Sequence, residues 1–191
     1  MKKIAGLLIA VIFFACCPPI NTHFQEYTTA EKQKSNLSSE SSDFSVITIP
    51  EGSVFEINYI DVGQADCALV QCDGETMLID GGNAADSSLV VSFLRSRNIS
   101  EVHYMLCTHG HEDHVGGLSG PLSLMKVDNV YAPKAEGDSR AYTNFKTKTK
   151  SAGLEIQHPK TGDTINLGCS TVEFYVPRWD YAEDLNNTSI M

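Results

Sequence analysis

Cys107-Thr108-His109-Gly110-His111-Glu112-Asp113-His114-Val115-Gly116-Gly117 is the stretch that decides the fold. On an extended backbone, residues two apart project to the same side, so His109 and His111 can share one metal ion. Asp113 and His114 are adjacent; their side chains diverge and can serve a second ion a few ångströms away. Gly110 permits a tight loop, and Gly116-Gly117 lets the backbone and a helix start approach closely. One plainer alternative is a solvated polar loop. Another is a helix with His111 and His114 at i and i+3, against which stand three glycines within eight residues. With 6 histidines in 191 residues, His-x-His-x-Asp-His is rare by chance. Imidazole and carboxylate donors suit zinc, and manganese or iron where carboxylates are richer.

Working outward, residues 53–60 alternate polar and apolar and predict a strand. Residues 67–71 and 76–79 predict two more, with Asp73-Gly74 as the hairpin turn between them. Asp80-Gly81-Gly82-Asn83 breaks the pattern. Asp86 or Ser87 can cap a helix running to Arg97, with Leu89, Val90, Phe93 and Leu94 as its apolar face. Strands follow at 102–107, 127–131 and 154–156, with helical residues at 122–125 and 142–151. Residues 164–167 and 171–176 complete the expected strands. Early hairpins followed by strand–helix alternation indicate a layered α/β domain.

The run His109-x-His111-x-Asp113-His114 resembles the signature loop of the metallo-β-lactamase superfamily, whose fold is an αββα sandwich with one or two metals at the sheet edges. Asp61-Val62-Gly63-Gln64-Ala65-Asp66-Cys67 resembles the Asp-Val-Gly-Gln-Gly-Asp-Ser run of hydrolase domains related to the DNA-uptake protein ComEC. It departs from that run at Ala65 and Cys67. Leu78-Ile79-Asp80-Gly81-Gly82 resembles the strand-end aspartate that supports the metal loop in this superfamily. The resemblance runs from about Val54 to the C-terminus.

It implies that His109 and His111 bind one metal and Asp113 and His114 the second, two divalent transition metals in all, zinc foremost. Asp113 would also orient the attacking hydroxide, the catalytic role. Asp80 would orient the loop by hydrogen bonds, and Asp61, Gln64 and Asp66 would shape the rim, plain turn chemistry being the alternative for these three. The implied activity is a metal-dependent hydrolase in which the metals lower the pKa of a bridging water. The ComEC-like loop favours a phosphodiester, in nucleic acid or a nucleotide. The alternatives are a lactam, lactone or thioester substrate on the same fold, or an inactive truncated metal-binding remnant.

The superfamily normally adds a third histidine, a bridging aspartate and a final histidine. After His114 the sequence has one histidine, His158. Thr161-Gly162-Asp163 resembles the bridging-aspartate run superficially, but residues 164–168 read as the strand that lies well upstream of that aspartate. The expectation is therefore a sandwich truncated at its C-terminus. In it the strand at 171–176 lacks a neighbour, metal is held weakly, and the chain is marginally stable and nearly inactive.

Lys2-Lys3 and the apolar residues 4–15 have the layout of a bacterial secretory signal, too short for the roughly 20 apolar residues that span a bilayer. Phe13-Phe14-Ala15-Cys16 resembles a lipobox, with an ordinary cleaved signal or an uncleaved anchor as alternatives. The expected organisation is a signal at 1–17, a flexible polar linker at 18–46 and the domain at 47–191. The expected location is extracytoplasmic, secreted or lipid-anchored, with membrane contact only through signal or anchor. No protein partner is inferable.

A net charge of -10 gives no bulk attraction for nucleic acid. Lys134, Arg140, Lys146, Lys148 and Lys150, interrupted by Glu136 and Asp138, could contact phosphates or form a solvated surface. Cys67, Cys72, Cys107 and Cys169 read as buried thiols.

Overall fold

The strands form close to where alternation at 53–60 and the short apolar runs after it predict them. The computed structural model describes residues 54–177 and 184–191; the expected signal, the linker and the first residues of the domain lie outside the described residues. β1 (Phe55–Tyr59), β2 (Ala68–Cys72) and β3 (Glu75–Ile79) form an antiparallel meander. Between β2 and β3, Asp73 and Gly74 take φ of 48° and 88°, the left-handed pair that a two-residue hairpin turn requires. β4 (Glu101–Leu106), β5 (Lys126–Tyr131) and β6 (Ile156–Gln157) continue the sheet in parallel, in the order β1-β2-β3-β4-β5-β6.

Each parallel step requires a crossover, and helices supply it. α1 (Ser87–Ser96) lies between β3 and β4, α2 (Glu112–Val115) and α3 (Ser119–Leu124) between β4 and β5, and α4 (Arg140–Ser151) between β5 and β6. Successive side chains leave a strand on opposite faces. Leu69, Leu78, Met105 and Val130 therefore pack against Val90, Leu94, Leu118 and Phe145 of the helical layer. Val70, Met77, Leu106 and Tyr131 pack on the other face against Leu167, Val172, Phe174 and Ile190. There β7 (Thr164–Leu167) and β8 (Ser170–Glu173) form a second, two-stranded antiparallel sheet. All four described α-helices contribute to the first core, so helix layer, large sheet and small sheet are the three layers on view.

Four local expectations change. On α1, Leu89 is 43% exposed while Val91 is 4% exposed, so the buried face is Val90, Val91 and Leu94 with Phe93 beside it. Packing on α3 selects that side: Gly120 lets Val91 and Ser87 approach closely. Asp86 does not cap α1 with its side chain; its carboxylate accepts the Asn83 N–H at 2.8 Å.

The three glycines do not prevent a helix in the histidine loop. The backbone turns helically from Glu112, through a 3-10 turn at Gly116–Leu118, to Leu124. Gly116 and Gly117 are needed because a Cβ there would collide with Ala84 N and with the Gly81 carbonyl oxygen.

The strand expected without a neighbour has two. β8 pairs with β7, and just beyond it Tyr175 exchanges backbone hydrogen bonds of 2.7 and 2.8 Å with Met191.

Candidate metal centre

β3 and β4 end side by side, and the chain turns there into the site. Asp80, 2% exposed, follows β3 with φ 55°, a left-handed conformation that aspartate tolerates better than most residues. Its N–H donates to the Leu106 carbonyl at 2.8 Å, which aims the side chain across the end of β4. The carboxylate is well satisfied. Oδ1 accepts the Thr108 N–H at 2.8 Å, and Oδ2 accepts the Thr108 hydroxyl at 2.6 Å and His114 Nδ1–H at 2.9 Å. A buried charge persists only where such partners replace water.

That network sets the histidine tautomers. The Thr108 hydroxyl spends its one proton on Asp80, so its oxygen accepts from His109 Nδ1–H at 3.1 Å. His109 Nε2 is then a bare lone pair, 3.1 Å from His111 Nδ1. Two nitrogens on a tetrahedral zinc, each at about 2.0–2.1 Å, stand roughly 3.3 Å apart. The donor pair present fits such an ion. His114 gives Nδ1–H to Asp80, which frees Nε2, and that atom lies 3.9 Å from Asp113 Oδ2. The His109 and His114 rings lie tilted to each other by 50° with centroids 4.0 Å apart. The four side chains thus gather as two pairs. Among the described residues, the groups with three donors within 4.8 Å lie elsewhere.

Burial pushes His109 down to about 4, assisted by the neighbouring His114 charge, so His109 is neutral at pH 7 and needs lose no proton to bind a cation. For His114 burial works downward, but the hydrogen bond and charge of Asp80, with Asp113 and Asp66, outweigh it and raise the imidazole above its ordinary value. Burial also pushes the Cys107 thiol well up, and that thiol donates to the His109 carbonyl at 3.0 Å.

Of the expected rim, the structure brings in Asp66. Its N–H donates to the Asp113 carbonyl at 3.3 Å, its own carbonyl accepts the Gly82 N–H at 2.9 Å, and its carboxylate stands 3.8 Å from His114 Nδ1. Asp61 is engaged in its own turn, accepting the Gly63 N–H at 3.1 Å, and Gln64 is exposed. His158 Nδ1–H donates to the Ala132 carbonyl at 2.9 Å, and Asp163 accepts the Lys160 N–H at 2.8 Å. Of the basic stretch, Lys146 is paired with Glu136 at 2.6 Å.

Thr108 and Cys107 are the site residues that sequence reasoning missed: Thr108 because its partner Asp80 is 28 residues away, and Cys107 because a thiol hydrogen-bonded to a nearby backbone carbonyl leaves no mark in the sequence. Gly110, expected to serve a tight loop, serves a close approach: a Cβ there would stand 2.6 Å from Gly137 N.

Residues 60–140 match the family model described as Metallo-beta-lactamase superfamily. ComE operon protein 3 of Bacillus subtilis (strain 168) is 23% identical over 156 residues, 71% of this chain and 20% of that protein. Ribonuclease J of Synechocystis sp. (strain ATCC 27184 / PCC 6803 / Kazusa) is 28% identical over 140 residues, 66% of this chain and 20% of that protein. The aligned region is thus 20% of each curated relative's length. Among solved structures, the Rm3 metallo-beta-lactamase superposes with TM-score 0.51 at 16% identity, covering 70% of this chain and 51% of that one. A HARLDQ-motif mutant metallo-beta-lactamase of Cronobacter sakazakii gives 0.52 at 15% identity, covering 70% and 54%. The structures establish the fold. Over residues 60–140 the chain is similar to the metallo-beta-lactamase superfamily, a superfamily of metal-dependent hydrolases.

Proposed function

We propose that this metallo-beta-lactamase-like domain hydrolyses a phosphodiester, in a nucleic acid or a nucleotide, with two divalent transition metals, zinc foremost. The observation that carries the metal chemistry is the approach of two ring nitrogens, His109 Nε2 and His111 Nδ1, to 3.1 Å, with His109 held by the Asp80–Thr108 network. In this reading His109 and His111 hold one ion and Asp113 and His114 the other. When bound, divalent ions supply Lewis acidity and lower the pKa of a coordinated water.

The chain's own residues do the positioning. Asp80 fixes His114 through Nδ1 and fixes His109 through the Thr108 hydroxyl, so one buried carboxylate orients both ligand pairs. Asp66, tied by its backbone to Asp113 and Gly82, forms the wall beside His114. With Lys146 committed to Glu136, the exposed Lys134, Arg140, Lys148 and Lys150 are the cations of the 134–150 stretch that we assign to phosphate attraction.

The phosphodiester reading is supported by the curated relatives, one named a ribonuclease and the other a ComE operon protein, and by the 61–67 loop. Turnover of bis(p-nitrophenyl) phosphate and of single-stranded nucleic acid by zinc- or manganese-loaded protein tests it. The expected result is activity that a chelator abolishes and added metal restores. Turnover of a lactam, lactone or thioester in preference to both would overturn the substrate. We further propose an extracytoplasmic location, on the ground of the charged and apolar residues 2–15. Finding the uncleaved chain in the cytosol on fractionation would overturn that.

A further inference from the structure

We propose that Cys72 and Cys169 form a redox site that closes to a disulfide and staples the small sheet to the large one. Cys72 is the last residue of β2 and is wholly buried; Cys169 lies in the turn between β7 and β8 and is half-buried. Their sulfurs stand 3.4 Å apart across 97 residues of chain. The turn that carries Cys169 is docked on the β2–β3 hairpin by other means as well. Gly168 takes φ 56°, a Cβ there would collide with the Cys72 carbonyl oxygen, and its N–H donates to Glu75 Oε2 at 3.0 Å. The Ser170 hydroxyl lies 3.3 Å from Cys72 Sγ. Closing the sulfurs from 3.4 Å to a bond of about 2.05 Å needs side-chain rotation and a small backbone shift, not rearrangement.

The other two described cysteines differ. Burial pushes the Cys67 thiol up to about 12, and Cys107 spends its proton on the His109 carbonyl. Cys169 is the sulfur of the pair that solvent reaches, so it reacts first with a small disulfide RSSR. The Cys169 thiolate attacks one sulfur of RSSR, the S–S bond of the reagent breaks, and one RSH leaves. The Cys72 thiolate then attacks Cys169 Sγ, the mixed disulfide breaks, and the second RSH leaves. Two thiol protons and two electrons of the protein end on two RSH.

The site lies at the start of β3, whereas Asp80 follows its end. Five residues of strand, roughly 13 Å, separate the two. The proposal is therefore independent of the hydrolytic reading, and hydrolysis is not its readout.

The test equilibrates the full chain with oxidised glutathione, blocks remaining thiols with an alkylating agent, and maps the peptides. The expected product is a Cys72–Cys169 cross-linked peptide, with Cys67 and Cys107 alkylated after denaturation. Its formation should raise Tm by on the order of 10 °C, reversibly with dithiothreitol. Cys169→Ser should fold and lose that rise. Glutathione left as a stable adduct on Cys169 would overturn the proposal, as would both thiols remaining alkylatable. Cys72, Asp73 and Cys169 also place three donor atoms within 4.8 Å of one another. A zinc ion retained there stoichiometrically and blocking oxidation would overturn the proposal in favour of a metal site.

Discussion

At the carboxyl ends of β3 and β4 the chain buries a charge. Asp80 is enclosed and accepts from Thr108 twice and from His114 once, and the residue itself is held at positive φ. At the other end of β3, Glu75 meets the β7–β8 turn from the surface, and the buried partners there are the Cys72 thiol and the Ser170 hydroxyl. Both ends use glycines to bring backbones together, Gly116 and Gly117 at one and Gly168 at the other. What differs is the cost of failure. Changing one of a set of packed neutral groups costs packing or a neutral hydrogen bond, whereas a buried carboxylate network also leaves uncompensated charge or orphaned donors when any member goes. The metal end is therefore specified by polar satisfaction, and the sulfur end by packing.

The largest effect that separates the ends is on catalysis. His111→Ala or Asp113→Ala should abolish hydrolysis while circular dichroism and Tm stay near those of the parent, since both side chains are only partly buried. Near-normal turnover in both variants would remove the metal assignment.

Next is Asp80→Ala. Thr108 N–H, the Thr108 hydroxyl and His114 lose their acceptor in a buried setting, which should cost about 3 kcal/mol by denaturant midpoint. Metal affinity should fall roughly 10- to 100-fold by titration. An unchanged midpoint would show that the two ends are alike.

The third concerns pH in metal-stripped protein. His109 is held at about 4, below its ordinary 6.5, so between these values the unfolded chain binds the extra proton. Stability then falls as pH drops from about 6.5 to about 4. His114, raised by Asp80, acts in the opposite sense and loses its contribution as pH rises through its elevated value. His109→Asn should therefore flatten the acid limb of the stability curve, while Glu75→Gln at the far end should leave it unchanged.

The smallest effect is expected from Glu75→Ala. It removes one exposed hydrogen bond to Gly168 and should cost no more than about 1 kcal/mol. A cost matching that of Asp80→Ala would erase the contrast.

Much of this was legible before the structure, because it depends on neighbours in the chain. Alternation marks β1 since the strand period is a property of contiguous residues, whereas β2 and β3 are short apolar runs on either side of a turn signal. Asp73-Gly74 marks its turn because only such residues accept two successive positive φ values. His109 and His111 meet as the two-residue spacing predicts, on a backbone that bends through residues 108–111. Asp80 was marked by the resemblance of Leu78-Ile79-Asp80-Gly81-Gly82 to the superfamily's strand-end aspartate, not by any local period. Tertiary structure decided the rest. Asp80 finds Thr108 and His114 at separations of 28 and 34 residues, and Cys72 finds Cys169 at 97. Which side of α1 is buried depends on Gly120 of α3, and the neighbour of the segment after β8 is Met191. Such partners are chosen by how strands register and layers stack, and no local period carries that information.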